Sequence, residues 1–246
     1  QTSPIVGTIF EGSRTPLRTW FKALYLHSLP HGISAQRLST MLNLTYKTAW
    51  LICHKIRHAM TEADAGELLT GVVHVNYGVY GRPYNPTVFR HPQEQALLAG
   101  ASVDRDQKIV RLKIKQVPEH YLTNERYIRS AGGHDFVNRH VDRECASVSL
   151  VIQQFSRQRY LPLGNAVRSA TNWINYTFNG IGPKHLQAYL DQFCFNWIHR
   201  DRPFVFIELL RLCLAATPLA YPILIRRHNP APRHKRIYFE LLKTAS

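Results

Sequence analysis

Gly32-Ile33-Ser34-Ala35-Gln36-Arg37-Leu38-Ser39-Thr40-Met41-Leu42-Asn43-Leu44-Thr45-Tyr46-Lys47-Thr48-Ala49-Trp50-Leu51-Ile52-Cys53-His54-Lys55-Ile56-Arg57-His58 reads as two short helices meeting at a tight turn. Ile33, Leu38, Met41 and Leu42 recur at helical spacing, and so do Trp50, Ile52 and Ile56. Asn43-Leu44 interrupts the first run, and Thr45 stands where an N-cap accepts backbone N–H bonds. The second helix is then predicted to open with Tyr46, Lys47 and Thr48 directed outward. A helix-turn-helix presents its base-reading side chains in this way, because the first turn of its second helix enters the major groove. The competing reading is a plain helical hairpin whose basic face is solvated.

Charge favours the first reading. Lys and Arg number 31 against 16 Asp and Glu, a formal net charge of +15. Such a chain attracts polyanions at long range, and phosphate contacts release counterions. The positive residues are spread over Arg14 to Lys22, Lys47 to Arg57, Arg105 to Lys115, Arg157 to Arg168 and Arg226 to Arg236. Trp20, Tyr46, Trp50, Tyr160 and Trp173 lie among them, as on surfaces that hold nucleic acid. Val205 to Ile225 is the most apolar stretch, but Glu208, Arg211, Pro218 and Pro222 break it, so a core helix and turn are expected and no membrane partner. No leader pattern opens the chain, which starts at Gln1 and reads as a fragment. Cys53, Cys145, Cys194 and Cys213 form no C-x-x-C pair, which fits buried thiols in a reducing cytoplasm.

Thr15-Pro16 followed by Leu17, Trp20, Phe21, Leu24 and Tyr25 predicts an amphipathic helix with Pro at its first position. With the hairpin it makes an all-α module over residues 1–62, linked through Glu62 to Gly66. Strand sequence follows from Val72, over Ala96 to Val103 and over Ile109 to Val117. In the last of these Val110, Leu112 and Ile114 alternate with Arg111, Lys113 and Lys115, as in a half-buried antiparallel strand. Pro118 to Ser130 looks helical, with Gly132-Gly133 as its stop, and Phe136 to Val141 reads as a short strand. Val148 to Phe155 fits strand or helix equally. Pro183 to His199 is a clear helix with Leu186, Tyr189, Leu190, Phe193 and Trp197 on one face. The expected class is α/β over residues 70–225, consistent with an RNase H-like mixed sheet flanked by helices. Periodicity does not single out that fold. Residues 226–246 form a basic, Pro-rich tail.

Gly7-Thr8-Ile9-Phe10-Glu11-Gly12-Ser13-Arg14-Thr15-Pro16-Leu17, Trp20-Phe21, Gly32-Ile33-Ser34, Tyr46-Lys47-Thr48-Ala49-Trp50 and His54-Lys55-Ile56-Arg57 together resemble bacterial insertion-sequence DDE transposases of the ISXO-like, Merlin-related family. Pro183-Lys184-His185-Leu186-Gln187-Ala188-Tyr189-Leu190-Asp191-Gln192-Phe193, with Asn196 and Arg200, resembles the block that closes the catalytic domain of that family, and Phe204 to Ile225 its tail. The resemblance implies an RNase H-like core whose acidic triad holds two Mg²⁺ or Mn²⁺ ions for strand cleavage and transfer. Hard divalent cations favour anionic oxygen ligands, and a pair of metals stabilises both attacking and leaving oxygens. It also implies an upstream zinc-binding segment, DNA ends of the element as the partner, and a bacterial, nucleoid-associated cytoplasmic setting.

The triad positions depart from that pattern. The opening strand reads Val73-His74-Val75-Asn76, which puts Asn76 where the first Asp belongs. Ungapped matching puts Arg139 at the second, with Asn138 beside it, and Asp135 is the nearest acid a small gap could recruit. The third falls at Gly164 or Asn165, and no Asp or Glu occurs between Cys145 and Leu190. Lost carboxylates weaken a Mg²⁺ site, since its affinity depends on ligand charge. The expectation is therefore a DNA-binding protein of transposase type, impaired in cleavage. Tyr46, Lys47 and Thr48 are candidates for base contacts, and Lys55, Arg57, Arg14 and Arg18 for phosphates. An active enzyme with a rearranged Asn76, Asp135 and Asn165 site is the alternative. A third reading is a non-enzymatic protein that pairs with an intact transposase through Pro183 to His199; a homo-oligomer is the other partner considered.

Other constellations carry less. His54 and His58 are one helical turn apart, a spacing that suits zinc, but no third ligand is evident. His74 reads as a strand histidine. Asp104 and Asp106 read as hairpin chemistry, and the glycines make no phosphate loop.

Overall fold

Pro16 (φ −59°, ψ 143°) stands at the N-cap of α1 (Leu17–Ser28), one place earlier than the sequence suggests. The computed structural model describes residues 5–81, 89–91, 93–123 and 127–225. α2 (Ala35–Leu42) and α3 (Tyr46–Ala65) follow. α3 runs straight through Glu62 to Ala65, so the expected link is the last turn of a helix. Its residues have partners elsewhere: Glu62 accepts from the Thr217 N–H at 2.9 Å and hydroxyl at 2.6 Å. Asp64 pairs with Lys113 and Lys115 at 3.0 and 2.6 Å.

Three antiparallel strands come next, β1 (Val72–Tyr80), β2 (Gln95–Val103) and β3 (Ile109–Gln116), close to their expected bounds. The β2–β3 hairpin is closed by Asp104, whose Oδ1 accepts the N–H groups of Asp106 and Lys108 at 3.0 and 2.8 Å. β4 (Ser147–Val151) joins parallel to β1, with Asn76 opposite Val151, giving the sheet order β3-β2-β1-β4.

Between β3 and β4 the chain departs from expectation. The described residues of Pro118 to Arg129 hold a 3₁₀ turn, Glu119–Tyr121, and the helix is α4 (Ser130–His140). Gly132-Gly133 lies inside α4 rather than stopping it, and Phe136 to His140 is helix rather than strand. Close approach explains the glycines: a Cβ on Gly132 would sit 2.8 Å from that of Tyr121, and one on Gly133 3.0 Å from Leu150 and Ile152. α5 (Leu161–Phe178) then covers a stretch that sequence patterning left without an element. Its buried residues Leu163, Ala166, Val167, Ala170 and Ile174 do keep helical spacing. α6 (Pro183–His199), α7 (Val205–Ala215) and the short α8 (Tyr221–Ile225) complete the described chain. The tail expected at 226–246 lies outside the described residues.

Strand parity assigns the two faces of the sheet. Val73, Val75 and Tyr77 pack with Phe136 of α4. Tyr80, Leu97, Ala99, Leu112 and Ile114 pack with Leu163, Val167 and Ile174 of α5 and with Leu186, Leu190 and Cys194 of α6. The stripe on α6 is therefore core, which removes it as a docking face. A third cluster unites α1–α3 with Phe195, Leu209, Cys213 and Ala216. The helical module thus recruits α7 and does not end its packing at residue 62. Among the described residues no helix is long and apolar enough to cross a membrane.

Candidate nucleic-acid interface

Capping fixes the α2–turn–α3 unit at both of its helix starts. Ser34 Oγ accepts the Arg37 N–H at 3.3 Å, and Thr45 Oγ1 accepts the Thr48 N–H at 3.2 Å. Asn43, at φ 50° and ψ 52°, takes the left-handed conformation that ends α2. Leu38, Ala49, Ile52 and Ile56 face the core. The opposite side is left open: Tyr46 is 56% exposed, Lys47 is exposed and Thr48 half-buried. Lys47 Nζ lies 4.8 Å above the ring of Tyr221, so α8 borders this surface. Arg14 and Arg18 are exposed as well, and Arg18 borders a cavity of about 640 Å³ with Phe21, Lys22, Tyr25 and Met41.

The other expected phosphate contacts are corrected by burial. Lys55 is 7% exposed and its Nζ donates to the carbonyls of Ile9 at 2.8 Å and Glu11 at 3.4 Å. It fastens the N-terminal segment onto α3. Arg57 is 1% exposed; its Nε donates to Gln192 Oε1 at 2.8 Å, and its guanidinium lies 3.9 Å from the Tyr189 ring centre and 5.2 Å from that of Phe178. An amphipathic reading places both on the wet side of α3. The helix is instead covered on that side by the N-terminal segment and by α6.

His54 and His58 diverge. His58 turns to Glu62 at 3.2 Å, while the His54 ring lies 4.1 Å from that of Trp50, tilted by 50°, and 4.8 Å from that of His185 of α6. Among the described residues no three His, Cys, Asp or Glu side chains converge as metal ligands.

The expected triad is not assembled. Asn76 is 2% exposed on the α5 face, and its Nδ2 donates to the Tyr160 carbonyl at 2.8 Å. Asp135 stands on α4, across the sheet, where Arg139 Nε donates to it at 2.9 Å. Asn165 is exposed on α5, on the side of the sheet that Asn76 faces. A gap cannot bring Asp135 to Asn76, because the sheet itself separates them. His74, on the same face as Asn76, stacks on Tyr160 at 4.5 Å and is no free ligand.

Sequence reasoning gave no role to His185 or Tyr221, whose rings the structure places beside Trp50, with Lys47 over that of Tyr221. The signal available was the Lys184-His185 pair opening a helix, but nothing in the sequence says that this helix start meets α3. No protein-family model, curated protein or solved structure matches the chain.

Proposed function

We propose that the protein binds duplex DNA through the first turn of α3, as the DNA-holding part of a chain of insertion-sequence transposase type, and that it has lost the metal-dependent cutting of such enzymes. The observation that carries this reading is the first turn of α3, with Tyr46 and Lys47 exposed and Thr48 half-buried beside them. It follows a left-handed Asn43, in a chain of net charge +15. Helix-turn-helix proteins read bases from this position. The sheet is read as RNase H-like: three antiparallel strands, then a helix, then a strand parallel to the first, support that assignment. Within it Asn76 takes the place of the first catalytic acid. A neutral amide supplies an oxygen ligand without charge, and its Nδ2 is already spent on Tyr160. Were Mg²⁺ or Mn²⁺ to bind, Asn76 and Asn165 would offer only carbonyl oxygens, so these residues do not fit a two-metal centre.

The test combines binding and cutting. Wild-type protein and the double variant Tyr46→Ala, Lys47→Ala are titrated onto labelled duplex over a salt series, and onto supercoiled plasmid with Mg²⁺ and then Mn²⁺. The expected result is salt-sensitive binding by the wild type, weakened about tenfold or more in the variant. No nicking is expected with either metal. Binding indifferent to the double substitution removes the α3 assignment. Metal-dependent nicking abolished by Asp135→Ala would restore the enzyme reading.

A further inference from the structure

The cavity of about 640 Å³ on the helical module is a groove between α1, α2 and α7. Arg18, Phe21, Lys22 and Tyr25 recur at helical spacing and make one face of α1, with Met41 of α2 and Phe206 of α7 on the other walls. Phe21 is 43% exposed, Tyr25 57% and Met41 55%, so the groove opens to solvent. None of these three belongs to a core cluster. Core packing therefore does not account for two aromatic rings one turn apart on a helix surface. An apolar patch with a charged rim is the ordinary mark of an interaction site.

Charge selects the occupant. Arg18 and Lys22 are exposed at the groove, and among the described residues that line it there is no Asp or Glu. A second copy brings the same two cations in a chain of net charge +15 and is repelled, whereas a polyanion is drawn in. Cations and rings alternate along α1 in the order Arg18, Phe21, Lys22, Tyr25. Residues one turn apart hold their Cβ atoms ~5–6 Å from each other, which sets ring beside ring and cation beside cation. Successive bases of a single strand can stack on two such rings while their phosphates meet the cations. A duplex keeps its base faces stacked on one another, so the pattern suits an unpaired strand. The groove also adjoins the proposed base-reading turn: α2, which supplies Met41, ends at the left-handed Asn43, and α3 opens at Tyr46.

We propose that this groove holds an unpaired DNA strand beside the duplex, with bases stacked on Phe21 and Tyr25 and phosphates on Arg18 and Lys22. The inference rests on the DNA-binding reading above and deepens it: the preferred ligand is a duplex that continues into a single strand. Stacking on exposed rings tolerates any base, so this contact adds affinity and leaves sequence choice to the first turn of α3.

The test titrates the full chain onto fluorescein-labelled oligo(dT), a blunt duplex, and the same duplex with an oligo(dT) overhang. The wild type is expected to bind oligo(dT) saturably, and the tailed duplex more tightly than the blunt one. Phe21→Ala with Tyr25→Ala, both at exposed positions, is expected to weaken oligo(dT) binding about tenfold or more and to erase the advantage of the overhang, with blunt-duplex affinity kept. Lys22→Gln is expected to lower the log–log salt slope on oligo(dT) by ~0.7, the value for one phosphate of a single strand. Oligo(dT) binding that ignores the double variant, or an overhang without effect while the blunt duplex is bound, would overturn the proposal and leave the DNA-binding reading standing. A chain that binds oligo(dT) through the two rings but no duplex would remove that reading and keep the groove as a single-strand site. Failure to bind oligo(dT), with saturable binding of an acidic amphipathic helical peptide that the double variant loses, would overturn the proposal in favour of a protein partner.

Discussion

Arg57 shows how far a single side chain can stray from the role its neighbours suggest. In the sequence it follows Lys55 on a basic helix, and a phosphate contact is the natural inference. In the fold it is 1% exposed, bonded to Gln192 and stacked on Tyr189, with its Nη2 left without a partner. A guanidinium tolerates such a place better than an ammonium, because it is weakly hydrated and stacks on aromatic faces. Arg57→Ala removes that stacking and strands the Gln192 carbonyl, at a cost of about 3 kcal/mol. The urea midpoint should drop accordingly, while duplex affinity under folding conditions stays unchanged. A variant as stable as the wild type but weaker on DNA would return Arg57 to the phosphates. Tyr46, Lys47 and Thr48 were legible because a cap and a turn announce a helix start locally. The burial of Lys55 and Arg57 was not, since it depends on the N-terminal segment and α6 folding over α3.

The edge of the sheet is closed by α6. Gln187 Oε1 accepts the Gln116 N–H at 2.8 Å and its Nε2 donates to the Ile114 carbonyl at 3.0 Å, so one amide occupies an edge that would otherwise invite another strand. Lys115 then bridges Asp191 of α6 at 2.7 Å and Asp64 of α3 at 2.6 Å. Burial works against both acids. Asp64 has Lys115 and Lys113 beside it and is held below the ordinary carboxylate range, whereas Asp191, 1% exposed, is pushed above it despite Lys115. Lys115→Met takes away the only cation paired with buried Asp191 among the described residues and leaves Asp64 with Lys113 alone, and should cost about 3–5 kcal/mol. Adding Asp191→Leu should recover most of that loss, because Asp64 keeps Lys113 and the new pair is apolar. Additive losses in chemical denaturation would mean that Lys115 and Asp191 do not act together. The alternation along β3 was readable, but it suggests a wet lysine face; only the arrival of α3 and α6 makes Lys113 and Lys115 interior. In the same way α4 was misread because glycines usually mark a stop, and here they serve close packing against Tyr121 and Leu150.

Among the described residues three histidines are pushed to about 4 or below. His27, fully buried in the helical cluster with Nδ1 2.9 Å from the Ala23 carbonyl, is lowered to about 3 by burial and then by Arg57. His54, between α3 and α6, is lowered to about 3 by burial and then by Arg57, His185 and Lys184. His140, at the end of α4, is lowered to about 4 by burial and then by Lys115 and Lys113. In the unfolded chain each takes up a proton near pH 6.5. Below that pH the unfolded state binds more protons than the folded one. Stability is then fully present above about pH 6.5 and is lost as pH falls toward the folded values. With all three unfolded-state protons gained near pH 5, the loss approaches at most about 4 kcal/mol per pH unit. The melting temperature should hold between pH 8 and 7 and fall steeply from pH 6 to pH 4. His27→Gln should lower the proton uptake on unfolding by about one. A melting temperature that is level from pH 7 to pH 4 would show that the three rings titrate as in the unfolded chain. Because these histidines lie in the helical cluster, at the α3–α6 contact and beside the sheet edge, acid loosens all three regions together. Duplex binding measured below about pH 5 would thus report unfolding as well as affinity, and the test of the proposed Lys47 contact has to be made near neutrality.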